Sequence, residues 1–143
     1  MRASASRARV VVTLLVCLTS GTVACTGDSD REQIAKVLET ATSSGAALEM
    51  ALASWLANRV PTAFATRAVR ESRQMLEQAA RSAAALPGGA PAAQLVHDVL
   101  AIAPTGDAVA RGDTAGVRAC VPELAARVRT LRAARDSARS AGS

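Results

Sequence analysis

Aromatic residues are almost missing from this 143-residue chain: Trp55 and Phe64 are present, and there is no tyrosine. Histidine occurs once, at His97, and lysine once, at Lys36. These shortages exclude much chemistry. A Ser-His-Asp arrangement has one histidine to draw on, and the nucleophile-elbow pattern G-x-S-x-G is absent. Neither the haem-attachment motif C-x-x-C-H nor a zinc-type His/Cys spacing occurs. Long hydrophobic runs are lacking too. The longest, Val10–Leu18, is interrupted by Thr13 and is too short to span a bilayer, which takes about 20 apolar residues. Gly88-Gly89 lies between Pro87 and Pro91 and belongs to a turn rather than a phosphate loop.

What is present in quantity is alanine. Half of the residues are hydrophobic, yet much of that half is alanine, which buries little surface and ranks first in helix propensity. β-branched runs are nearly absent after Val23. The expected class is all-α: an up-and-down antiparallel bundle of about four helices with a thin, close-packed core. No internal repeat is evident.

The first two dozen residues differ from the rest. Arg2, Arg7 and Arg9 give a positive start, Val10–Leu18 an apolar stretch, and Thr22-Val23-Ala24 compact residues before Cys25. That order reads as a bacterial export signal over residues 1–24, cut after Ala24. The net charge of +5 owes three of its positive charges to those leader arginines, so it is no argument for nucleic-acid binding.

Val23-Ala24-Cys25 resembles the lipobox of bacterial lipoproteins, in which the cysteine after the cut receives a diacylglycerol thioether. The resemblance covers residues 1–25 alone. Ala24 fits the pattern. Thr22 stands where that family usually has leucine, a departure from it. Thr26 is not aspartate, so the inner-membrane retention signal of some Gram-negative bacteria is absent. The resemblance implies lipid on Cys25 and a membrane anchor on the outer side of the cytoplasmic membrane, at the periplasm or the cell surface. The same bond also suits ordinary signal peptidase, which would release a soluble secreted protein. In that case a Cys25–Cys120 disulfide stays open, because Cys17 would leave with the leader.

Residues 25–29 read as a polar tether, 30–139 as one bundle domain and 140–143 as a disordered tail. Ser29-x-x-Glu32 and Asp30-x-x-Gln33 are overlapping capping boxes that start a first helix near Asp30. Its apolar positions alternate in steps of four and three: Ile34, Leu38, Ala41, Gly45, Leu48, Leu52 and Trp55. Thr42-Ser43-Ser44-Gly45 is a weak patch, and Asn58–Pro61 ends the helix. A second helix, Thr62–Leu86, carries a stripe of Phe64, Ala68, Ser72, Met75, Ala79 and Ala83, with Val69, Leu76 and Ala80 beside it. Arg67/Glu71, Arg73/Glu77 and Glu77/Arg81 are spaced as ion pairs on its solvated face. A third, short helix runs from Pro91 to Ala103, with Leu95, Val96, Val99, Leu100 and Ala103 inward, which leaves one end of the bundle open. The last quarter holds a turn at Asp107–Arg111, a cap at Asp113 and a helix with Val117, Val121, Leu124, Val128, Leu131 and Ala138 on one side. Pro122 either kinks that helix or opens its main segment. Seven arginines between Arg111 and Arg139 face three acidic residues and make this segment basic.

Taken together, the expectation is an exported envelope lipoprotein that acts by binding or by structure, with no catalytic residues and no cofactor or metal. Its partners would be the membrane through Cys25 and another envelope protein, or a second copy through an alanine-rich face. A different class, a small-molecule or haem carrier, would use His97 as a ligand with Met50 or Met75 opposite. A hydrolase is a third class.

Overall fold

A computed structural model describes residues 23–141, with side chains from Gly27 onward. Residues 1–22, which hold most of the expected export signal over 1–24, and the last two residues lie outside the described residues. Four long helices and one short one account for nearly all of the described chain, with no strand among them. They are α1 (Val23–Leu56), α2 (Thr62–Ala84), α3 (Ala90–Ile102), α4 (Gly106–Ala110) and α5 (Thr114–Ser140). The all-α bundle expected from composition is therefore what the chain forms.

Neighbouring helices run antiparallel. In α1 and α5, Glu39 pairs with Arg139 while Gly45 meets Val128, so numbers rise on one helix as they fall on the other. Five-residue connections, 57–61 and 85–89, reverse the chain between α1 and α2 and between α2 and α3. α1 packs on α2 and α5, and α3 closes the ring by packing on both of those.

The core follows the four-three alternation of α1. Leu38, Ala41, Leu48, Leu52 and Trp55 are all buried there, with Ile34 partly covered. From α5, Val117, Leu124, Val128 and Leu131 are buried, with Val121 and Ala138 packed beside them. The weak patch in α1 proves to be a close approach. Thr42 is buried and its hydroxyl donates to the Leu38 carbonyl at 2.7 Å, which spares the core an unpaired polar group. A Cβ on Gly45 would lie 2.8 Å from Val128 Cγ2, so glycine is what lets α5 come this near.

Several boundaries differ from the sequence reading. α1 begins at Val23 rather than near Asp30, so residues 25–29 are helical instead of a loose tether. Once a helix is nucleated and docked, each further residue adds a hydrogen bond at little cost. The Ser29 side chain accepts from Gln33 Nε2 at 3.4 Å within that helix rather than capping it. α1 stops at a left-handed Asn58, φ 54°, where Asn58 N–H donates to Trp55 O and Arg59 N–H to Ser54 O. Pro61 only confirms an end already made.

The stripe on α2 is rotated relative to the expectation. Ala65, Val69, Ser72, Leu76, Ala79, Ala80 and Ala83 are buried, whereas Phe64 is 57% and Met75 44% exposed. On α3, Ala92, Ala93, Val96 and Val99 are buried and Leu95 and Leu100 only half-buried. The end expected to be open is closed by α4, whose Val109 is fully buried. Gly112 then turns the chain at φ 74°, and Asp113 caps α5 by accepting from Gly116 N–H at 2.9 Å, as its position suggested. Pro122 does not open α5, which starts eight residues earlier. It sits on the exposed side, where water can serve the carbonyl it leaves without a donor. At the C-terminus Ser140 is still helical and Ala141 is a turn, so only residues 142–143 of the expected tail remain, outside the described residues.

Candidate functional site

Cys25 and Ala24 fall in the first turn of α1; their side chains lie outside the described residues. From Gly27 to Gln33 only Asp30 is even partly covered, and the first buried residue is Ala35. A group attached at Cys25 would thus stand roughly 15 Å along the helix from the first buried residue, at 1.5 Å per residue, with the stretch from Gly27 to Gln33 almost wholly exposed. Asp28 with Arg31 at 4.0 Å and Glu32 with Lys36 at 2.8 Å brace this rod along its own surface. Lys36 holds the Glu32 carboxyl below its ordinary range, first by hydrogen bonding and then by charge.

Cys120 lies far from Cys25. Gly45 and Val128 sit side by side, Cys25 is 20 residues before the one and Cys120 eight before the other. On antiparallel helices that separates the cysteines by about 40 Å, while a disulfide needs Cα atoms within about 7 Å. The geometry therefore excludes a Cys25–Cys120 bridge within one chain. Cys120 is a free thiol, partly buried, donating to Val117 O at 3.1 Å. Burial pushes its pKa up, which keeps it protonated and a slow nucleophile.

The haem-ligand set does not converge. His97 is exposed on α3, Met50 is 68% exposed on α1, and Met75 stands on the outer edge of α2. The space between the helices is filled by leucine, valine and alanine. Asp98, beside His97, accepts from Gln94 Nε2 at 2.9 Å on the surface. Among the described residues no cluster of three or more His, Cys, Asp or Glu is placed to hold a metal ion. None of the described helices is long and apolar enough to cross a membrane.

Charged side chains on α2 have a division of labour that spacing alone did not reveal. Arg67 pairs with Glu71 at 2.7 Å, as expected. Arg73 instead leaves Glu77 and donates to Leu100 O at 3.2 Å and Ala103 O at 2.7 Å, serving carbonyls at the end of α3. Arg70 reaches Asp107 at the start of α4, at 2.8 Å. On the basic segment, Arg127 pairs with Glu123, Arg135 with Asp136 and Arg139 with Glu39. Arg111, Arg118, Arg129 and Arg132 are exposed.

Two clefts of about 580 and 700 Å³ are open surface features. The first lies between the start of α1 and the end of α5, lined by Asp28, Arg31, Glu32 and Arg139 among others. The second lies along the first half of α2 beside Ala110. The structure thus defines a small four-helix bundle without an interior chamber among its described clefts. No protein family, curated protein or solved structure matches this chain.

Proposed function

We propose that this chain is an exported lipoprotein of the cell envelope, cut after Ala24 and anchored on the extracytoplasmic side through lipid on Cys25. The bundle is a non-catalytic binding or structural module. The observation that carries this reading is the order of the leader: arginines, a short apolar stretch, then Val23-Ala24-Cys25. Acyl chains contribute about 0.8 kcal/mol per buried CH₂, so two or three of them make an effectively permanent anchor. The exposed first turns of α1 suit such an anchor, because they hold the bundle off the headgroups. A non-catalytic role is supported by the outward position of His97 and by carboxylates that sit on wet helix faces.

The test is Cys25→Ala in the producing cell. The expected result is an unprocessed precursor that carries no lipid. If the variant is still cut after Ala24 and released as soluble protein, ordinary secretion is the correct reading and the anchor is lost from the proposal.

A further inference from the structure

α2 carries two parallel seams, each with steps of four and three. The inner one, Ala65, Val69, Ser72, Leu76, Ala79 and Ala83, is buried in the bundle. The outer one is shifted by a single residue: Phe64, Ala68, Glu71, Met75, Gln78 and Ser82. Such spacing is the seam of a helix that meets another helix at a shallow left-handed angle. Nothing in the fold covers it. Phe64 and Met75 are two of the three large hydrophobic side chains exposed on the described surface.

We infer that this outer seam is the interface of a two-fold homodimer. The seam is complementary to itself. Near one end stands the Phe64 ring. Toward the other, Met75, Gln78 and Ser82 of α2 and Val37 and Thr40 of α1 wall a surface recess of about 290 Å³, ample for a benzyl group. Phe64 and Met75 are 11 residues apart, three turns or about 16 Å, and so lie on one line along the helix. When two copies of α2 pack antiparallel about a dyad near position 70, each Phe64 enters the partner's recess and meets the partner's Met75. Ring-to-sulfur contact of this kind is favourable. Ala68, near the dyad, is small enough for the two backbones to approach.

The charges agree with the same register. Glu71 lies in the seam and Arg67 beside it, paired at 2.7 Å within the helix; in this register each Arg67 also comes to the partner's Glu71. Reciprocal contacts of this sort are what a closed two-fold interface requires; a head-to-tail arrangement would leave one ring and one recess unfilled. The inference does not rest on the lipid anchor, since it uses residues far from Cys25.

Sedimentation equilibrium of the purified full chain at about 50 µM tests it. Twice the chain mass is expected. Phe64→Glu and Met75→Glu should each sediment as monomers with unchanged helical circular dichroism. Arg67→Glu should weaken association by about tenfold or more, and Arg67→Glu with Glu71→Arg should restore it. A wild-type monomer overturns the proposal. So does an oligomer that survives Phe64→Glu and Met75→Glu, which is how assembly through the leader or an acyl chain would behave. If those two variants are monomeric but Arg67→Glu associates like the wild type, the register about position 70 is wrong.

Discussion

The two ends of the bundle are built by different means. At the end where α1 meets α2, side chains tie separate elements to one another. Trp55 Nε1 donates to Thr62 Oγ1 at 3.1 Å, Arg73 serves the last carbonyls of α3, and α4 seals the base with Val109. Thr105 and Asp113 cap α4 and α5 there through their side chains. At the opposite end, α1 runs on past the first core contact at Ala35, and its ion pairs and its Gln33–Ser29 hydrogen bond are internal to the helix. Beyond them, Arg139 pairs with Glu39 across to α5, and Ala138 packs on the core that Ile34 and Leu38 join. Ties between separate elements make one end cooperative with global unfolding; the pairs internal to α1 before Ala35 leave its first turns free to open on their own.

Substitutions can break this contrast, in descending order of effect. Leu48→Asp or Leu124→Asp places a carboxylate with no partner in the shared core, since both leucines are fully buried. The cost is several kcal/mol, a large part of the 5–15 that a domain of this size has in total. Loss of the cooperative thermal transition by circular dichroism is the expected readout. Unchanged melting in both would mean the inward faces are wrongly assigned.

Arg73→Met keeps the apolar stem but removes the donors to Leu100 O and Ala103 O, which is expected to cost about 2 kcal/mol for charge-assisted bonds. Hydrogen exchange should accelerate in α3 and α4 and stay unaltered at the start of α1. Gly45→Ala gains roughly 1 kcal/mol of helix propensity but drives a methyl against Val128, an overpacking cost of about 1–3. A net loss of about 1 kcal/mol is expected, whereas the same change made in a Val128→Ala background should stabilise by about 1 kcal/mol relative to that background. A stabilised single variant would show that α5 yields at this point.

The smallest effect belongs to the exposed rod. Lys36 lowers the pKa of Glu32, so whatever stability the pair gives is present above the ordinary carboxylate range and fades as pH falls through the folded-state value. Because the group is fully exposed and salt screens it, Glu32→Gln should leave the melting temperature unchanged between pH 3 and 7. A measurable drop would place this segment in the cooperative core.

The sequence conveyed the class and most helix positions for reasons tied to local signals. Ile34 to Trp55 alternates without ambiguity, Pro87 to Pro91 breaks any helix, and Asp113 announces a cap. The face of α2 was harder, because its two seams run one residue apart and the larger side chains, Phe64 and Met75, belong to the outer one. Arg73 sat four residues before Glu77, and nothing local signals carbonyls 30 residues downstream. Thr26 to Ser29 read as linker by composition, yet they extend a helix fixed elsewhere. The proposed lipid site is legible as a pattern around Cys25, a sequence signal that owes nothing to packing or hydrogen bonds.

Intact mass spectrometry of the protein isolated from the cells that make it addresses the anchor most directly. The expected species begins at Cys25 and carries the added mass of a diacylglyceryl group, with or without a further acyl chain. A polypeptide that retains Met1, or one that begins at Cys25 with no added lipid, would contradict the proposed tether.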